Sequence, residues 1–190
     1  MNEYSHIIGG EPTDEPRDAA EIAKRSVVVF SLIEHAMTEH DEAAERRKWL
    51  EKYQLVSQLT DGEKQYLYSD APSVQQDIDA TWLAECLCVL LWAIGYVEVL
   101  PEESEKFDTE TTFNLMPGYC DVSVPEFIEN ARLRPISELY DMAKSIQWAH
   151  GKAISRNLGD VTEILKERHL AINWVVGYCG LSWDETTTDT

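Results

Sequence analysis

The sequence predicts an all-α fold: a single-domain bundle of about seven helices around a central apolar helix, with one long irregular loop segment and a docked C-terminal tail. Three observations predict it. Apolar residues recur at intervals of three and four along most of the chain, which is the period of one helix face. Two capping-box patterns mark helix starts. At 190 residues and 44% hydrophobic content, the chain is long enough for one sizeable core. We therefore assign residues 1–190 to one helical domain and expect 1–15 to be a loose N-terminal segment.

The first half of the chain contains three predicted helices before the central one. An apolar stripe with helical period predicts the first helix from about Arg17 to Glu39. The amphipathic stretch DEAAERRKWLEKYQL predicts the second. A third is expected to begin behind Thr60, because Glu63 stands three residues on and completes a capping box.

The central helix is the most apolar segment of the sequence. Ser73 and Gln76 form a second capping box and open a helix that is predicted over about 74–97. From Trp82 to Val97 its only charged residue is Glu85, and a segment that is apolar on all faces is typical of a buried helix. Residues 98–123 then contain PEESEKFD and NLMPGYCD, which predict a long irregular segment of a kind that is often functional or mobile.

Three further helices are predicted after this segment. The residues SVPE at 123–126 predict a short helix with proline in its first turn. A long helix is expected from about Pro135 to Arg156, and Asp160 with Glu163 is expected to cap the last one, which ends at Gly177. The remaining stretch, YCGLSWDETTTDT, carries Trp183, whose apolar area favours docking of the tail on the body.

Two charged residues lie on core-facing stripes and indicate a buried polar site. Arg168 falls among Ile164, Leu165 and Ile172 on one face of the last helix, and a buried charge is costly unless it is paired. We predict that Glu85 and Arg168 pair and hold the two helices in register. Arg25 flanks the stripe of the first helix and could share or replace Arg168. The functional alternative is a pocket for an anionic small ligand, in a binding protein or an enzyme, formed by Arg25, Glu85, Arg168, His169 and Asn173.

No pattern in the sequence indicates a catalytic, metal or cofactor site. Nucleophile-elbow, phosphate-loop and dinucleotide-binding motifs are missing. His35, Glu39 and His40 do not converge on one helix face, so we predict neither a metal nor a cofactor. The four cysteines have no zinc-type spacing and are expected to be reduced, buried thiols: Cys86, Cys88, Cys120 and Cys179. Four tryptophans in predicted helices are expected to be packed: Trp82, Trp92, Trp148 and Trp174.

The charge of the chain limits its partners. The sequence contains 35 acidic and 16 basic residues, for a net charge of −19. Such a chain repels a phosphate backbone, so we predict no nucleic-acid partner and allow a basic protein partner. No apolar run is long enough to cross a membrane, and no signal-peptide pattern stands at the N-terminus, so we expect a cytoplasmic protein without a membrane partner. These features favour a non-enzymatic interaction module, such as an immunity or adaptor factor.

Two blocks of the sequence resemble a known family. The stretches WLAECLCVLLWAIGYVEVLP and ERHLAINWVVGY, the latter followed by the tail SWDETTTDT, are similar to signature blocks of a mainly bacterial family, domain of unknown function 4272. The likeness runs from about residue 20 to 190. Phe107 and Gln147 depart from it, since cysteine and histidine are usual there. The resemblance implies a continuous helical fold and no particular activity. The positions that match are Arg25, Glu85, Trp92, Arg168, His169, Asn173, Trp174 and Asp189.

Overall fold

The computed structural model describes residues 15–189, apart from the side chain of Glu110. Within this range the protein contains eight α-helices and no strand, which confirms the predicted all-α fold. The predicted loose segment 1–15 lies outside the described residues except for Glu15. The helices are α1 Ala19–Met37, α2 Ala43–Lys52, α3 Asp61–Leu67, α4 Val74–Ala93, α5 Thr109–Phe113, α6 Val124–Asn130, α7 Ile136–Arg156 and α8 Asp160–Val175.

Helix α4 lies at the centre of the protein, as predicted. It packs against α1 on one side and α8 on the other, and α7 covers α8. Every residue from Ala84 to Ile94 is buried, because the stretch offers apolar side chains to all of its neighbours. The carbonyl end of α4 is held by Arg134, which donates to the carbonyl oxygens of Trp92, Val97 and Glu98. A cation at this end also interacts favourably with the helix dipole.

Local capping signals set most of the helix starts. Both predicted capping boxes form, with Thr60 and Glu63 at α3 and with Ser73 and Gln76 at α4. Ser123 caps α6. The prediction that Asp160 with Glu163 caps the last helix is wrong: Gly159, at φ 55°, is the N-cap, and no side chain caps α8. Because Gly159 turns the chain into the helix, Asp160 is already its first residue.

The segment 98–123 is less irregular than predicted, since it contains α5, and this accounts for eight helices instead of about seven. Among the described residues, no helix is both long and apolar enough to cross a membrane.

Two groups of side chains are less buried than the sequence predicts. Cys86 and Cys88 are buried, but Cys120 is half-buried and Cys179 is exposed; all four thiols are free. Trp148 is 66% exposed and lies beside Lys152, whose Nζ is 4.7 Å from the centre of the ring. The buried stripe of α7 runs through Leu139, Ala143, Ile146, His150 and Ala153, and position 148 lies on the other side of the helix.

The C-terminal tail is docked on the body. The Trp183 ring meets the Trp174 ring edge to face, with 5.2 Å between centroids. Arg17 ties the tail to the start of α1, because its Nη2 donates to the carbonyl oxygen of Leu181 at 2.6 Å. Where α8 gives way to the tail, Gly177 has φ 75° and lies against the main chain of Glu15. A side chain there would overlap the carbonyl oxygen of Glu15, so glycine is required by space as well as by conformation.

Candidate functional site

The predicted ion pair between α4 and α8 is present. Both Nε and Nη2 of Arg168 lie 2.9 Å from Oε2 of Glu85. Each side chain is 3% exposed. The two residues face each other because each occupies the core side of its helix, and two buried opposite charges compensate each other.

Arg168 also holds the irregular segment in place. Its Nη1 donates to the carbonyl oxygens of Pro101 at 3.0 Å and Glu102 at 3.1 Å, and its Nη2 donates to the carbonyl oxygen of Glu105 at 2.6 Å. The second oxygen of Glu85, Oε1, accepts the main-chain N–H of Phe107 at 2.8 Å. Every nitrogen of the guanidinium and both carboxylate oxygens therefore have partners within the protein. Because Phe107 contributes its main chain, this contact does not depend on the side chain at that position.

Arg25 does not share Glu85. Its guanidinium forms an ion pair with Glu63 of α3, and its Nη1 donates to the carbonyl oxygen of Gln58 at 3.0 Å. The same group lies over the Trp183 ring, with Cζ 4.2 Å from the centroid. Arg25 thus connects α1 to the chain before α3 and to the docked tail, while Arg168 is the base that pairs with Glu85 among residues 15–189.

His169 is directed to a different partner. Its Nδ1 lies 3.0 Å from Nδ1 of His150 on α7, so one ring donates and the other accepts. Burial, followed by the proximity of His150, lowers the pKa of His169 to about 4, and burial lowers the pKa of His150. Both shifts favour the neutral form of the rings, and the hydrogen bond needs one unprotonated Nδ1 as its acceptor.

Asn173 secures the tail. Its Nδ2 donates to the carbonyl oxygen of Thr187 at 2.9 Å, and the side chain is buried.

The five predicted site residues therefore do not gather around one space. Glu85 and Arg168 meet, whereas Arg25, His169 and Asn173 each brace a separate contact. A cleft of about 180 Å³ borders Arg168, between α7, α8 and the start of the irregular segment, with Leu100, Met142 and Leu165 in its walls. The role of these five residues in ligand binding stays a prediction.

The histidines near the end of α1 form a polar cluster. The chain leaves the helix after Met37, and positive φ angles at Glu39 and His40 turn His40 back onto His35, with 4.6 Å between ring centroids. Nε2 of His40 contacts Asp77 at 2.8 Å. Burial, followed by the charge of His40, lowers the pKa of His35 to about 4. No group of three or more metal-ligating side chains occurs within the described residues.

Sequence reasoning missed a second polar cavity. It has a volume of about 270 Å³ and lies between α1, α2 and the turn at 117–119. Its base is Glu34, which accepts from the hydroxyl of Tyr119 at 2.6 Å and from Nε of Arg46 at 3.0 Å. Burial and the bond to Glu34 raise the pKa of Tyr119 to about 12. The lining residues are Glu34, Glu42, Glu45, Arg46, Trp49, Pro117, Gly118 and Tyr119.

Part of this cavity was visible in the sequence. Glu42, Glu45, Arg46 and Trp49 are spaced at three, four and seven residues, which places them on one face of a helix. The stretch was predicted only as an amphipathic helix. Glu34 and Tyr119 come from distant parts of the chain, and no local pattern joins them.

Most arginines of the protein are used internally. Six of the eight donate hydrogen bonds to main-chain carbonyl oxygens of loops, helix ends or the tail. They are Arg17, Arg25, Arg47, Arg132, Arg134 and Arg168. A planar guanidinium with five donors suits this bracing role.

Comparison with known proteins identifies a family and no closer relative. No curated protein and no solved structure matches the chain. The model of one family, described as domain of unknown function (DUF4272), matches residues 1–186 of the 190. The match covers α1 to α8 and most of the docked tail. The chain therefore belongs to the DUF4272 family.

Proposed function

We propose that the protein is a non-enzymatic interaction module whose acidic surface binds a basic protein partner. The observation that carries the proposal is that most of its arginines donate hydrogen bonds to carbonyl oxygens within the protein. Six guanidinium groups donate to main-chain carbonyls, and five of the six side chains, all except Arg132, are buried or half-buried. The chain also contains 35 acidic residues against 16 basic ones.

An excess of surface carboxylates has a definite consequence for association. It attracts a basic partner over a distance of about 8 to 10 Å at physiological salt, and it mainly accelerates the encounter. The attraction is screened as salt rises, so binding of this kind is sensitive to ionic strength. A small-ligand site at Glu85 and Arg168 has less support, because every donor of Arg168 already has an acceptor in the protein.

The test is capture of partners from lysate of the organism that carries the protein. Tagged protein is incubated at low and at moderate salt, and bound proteins are quantified by mass spectrometry against an acidic helical control of similar size. We expect one or a few basic proteins to be enriched over the control and lost at moderate salt. If the acidic control captures the same set, charge alone explains the binding and the proposal fails.

We also propose a cytoplasmic location. Four free thiols support it, because cysteines stay reduced in that compartment. Fractionation that recovers the protein with oxidised thiols outside the cytoplasm contradicts this part of the proposal.

A further inference from the structure

We propose that the protein forms a dimer in which the outer face of α7 pairs antiparallel with the same face of a second copy. This inference goes beyond the proposed function and does not rest on it. It is argued from one exposed tryptophan, from the small residues beside that tryptophan, and from the order of the charges along the helix.

Trp148 lies near the middle of α7, on the side that faces away from the core. The helix has 21 residues and packs on α8, and its buried stripe contains Ala143, Ile146 and His150. Trp148 is 66% exposed among the described residues. Burial of an indole is favourable, and tryptophan is enriched among the residues that anchor protein interfaces. The exposed ring therefore marks a contact surface on α7.

Small residues accompany Trp148 along the outer face. Ser145 and Gly151 lie three residues before and after it, and Ser155 lies seven residues after it; all three are exposed. The helical period places them on the same side as the ring. Gly151 lies inside the helix although an added Cβ would meet nothing within 4 Å. Glycine destabilises a helix interior relative to alanine, so packing within the described residues does not explain it.

An antiparallel second copy explains Gly151. Side chains of a helix lean toward its N-terminus, so the Trp148 ring lies over the turn that precedes it. When two copies of α7 meet at a two-fold axis through Trp148, that level of one helix is opposite Gly151 of the other. Each indole then enters the space above the glycine of the second copy, and the two rings fill the centre of the interface.

The charges of α7 make its outer face complementary to itself in the antiparallel direction. Glu138 and Asp141 precede Trp148, whereas Lys152 and Arg156 follow it. With the two-fold axis at Trp148, Asp141 is about 4.5 Å along the axis from Lys152 of the second copy, and Glu138 is about 3 Å from Arg156 of that copy. The helical period places all four side chains on one flank of the face. A parallel arrangement would instead set like charges against each other.

The charged groups on this flank are available for the contact. Asp141 is 71% exposed and 3.7 Å from Lys144, Glu138 is 50% exposed and 3.3 Å from Arg134, and Arg156 is exposed. Exposed pairs of this kind contribute little, so they do not oppose new partners. The net charge of −19 on each copy opposes association, but physiological salt screens charges that are farther apart than about 8 Å. The groups in contact therefore decide the outcome.

The experiment measures the oligomeric state of the whole protein by sedimentation equilibrium, at about 0.15 M salt and at protein concentrations up to about 0.1 mM. We expect a reversible dimer. Trp148→Ala should raise its dissociation constant at least about tenfold, because the central contact is lost. Val99→Ala is the control: Val99 is 76% exposed on the irregular segment, and its truncation should leave the constant unchanged. Both side chains are exposed, so both variants should keep the circular dichroism of the wild type.

Two charge reversals test the antiparallel arrangement. Asp141→Lys alone and Lys152→Glu alone each set like charges across the two-fold axis, and each should weaken the dimer at least about tenfold. An equal mixture of the two variants should dimerise nearly as well as the wild type. In that mixed dimer the introduced lysine faces the introduced glutamate, and the other pair is the original one.

Three results would overturn the proposal. The first is a wild type that stays monomeric up to about 0.1 mM. The second is a dimer whose dissociation constant is unchanged by Trp148→Ala, since another surface then forms it. The third is a mixture of the charge variants that is no more dimeric than its components, since the faces then do not meet in the antiparallel direction.

Discussion

Replacing Arg168 by methionine tests whether the buried ion pair is a structural clamp. The substitution keeps a long apolar side chain on the core stripe of α8 and removes all donors to Glu85 and to the segment from Pro101 to Glu105. Glu85 would retain only the N–H of Phe107. We expect the protein to stay helical and to lose much of its stability.

The magnitude follows from the burial of the pair. Removing one partner of a buried ion pair costs about 3–5 kcal/mol, because the other charge is left without compensation. Both side chains are 3% exposed, so the charge of Glu85 is largely removed from solvent. The freed carbonyls of Pro101, Glu102 and Glu105 lie near the surface and can bind water, so they add little to this cost. A loss of this size is a large part of the roughly 5–15 kcal/mol that stabilises most domains.

The assay is urea unfolding monitored by circular dichroism. Lys166→Met is the matched control: it removes a cation from the same helix at a position that is 48% exposed, and it should cost less than about 1 kcal/mol. Combining Arg168→Met with Glu85→Gln should cost at least about 1 kcal/mol less than the sum of the single changes, because the two groups interact. If Arg168→Met costs no more than the control, the pair is not a clamp.

Three further predictions concern other contacts. Gly177→Ala should lower the free energy of unfolding by more than about 1 kcal/mol, since the new Cβ would overlap the main chain of Glu15 at a residue with φ 75°; a urea midpoint equal to the wild type contradicts this. The neutral histidine pair predicts that stability falls with acid, because the pKa of His169 is about 4 in the folded protein and ordinarily 6.5. The unfolded chain then binds more protons between these values, so His169 should lower the free energy of unfolding at pH 5 relative to pH 7 by on the order of 2 kcal/mol, beside the contribution of His35, whose pKa is also about 4; a pH dependence of the urea midpoint that is unchanged in His169→Asn refutes the assignment. Asn173→Ala should loosen the tail and speed hydrogen exchange around Thr187, and unchanged exchange there would contradict a role of Asn173 in holding it.

The sequence predicted the centre of the fold because burial leaves a strong pattern. Glu85 and Arg168 were the charged residues of two apolar stripes, and the need to compensate both charges was enough to pair them. The capping boxes at Thr60 and Ser73 were predicted correctly because both partners lie within one turn.

The sequence was less informative where contacts join distant main-chain atoms. Nothing in PEESEKFD indicates that the carbonyls of Pro101 and Glu105 point at Arg168, because carbonyl groups are present at every residue. The contact of His169 with His150 depends on how α7 packs on α8, and local spacing does not contain that information. The cavity around Arg46 was missed for the same reason, since Glu34 and Tyr119 are 85 residues apart.

The exposure of Trp148 could have been predicted from the sequence, but the residue was expected to be packed. Its position lies away from the stripe that contains Ala143, Ile146 and His150, so periodicity alone argued against burial. The general tendency of tryptophan to pack was given more weight than the helix geometry.

The most direct test of the acidic interaction surface is capture compared between the wild type and an acidic helical control of similar size in one experiment, each at low and moderate salt. We predict that a basic partner is enriched by the wild type at low salt and lost at moderate salt. Equal capture by the acidic control, or none by the wild type, would contradict the account.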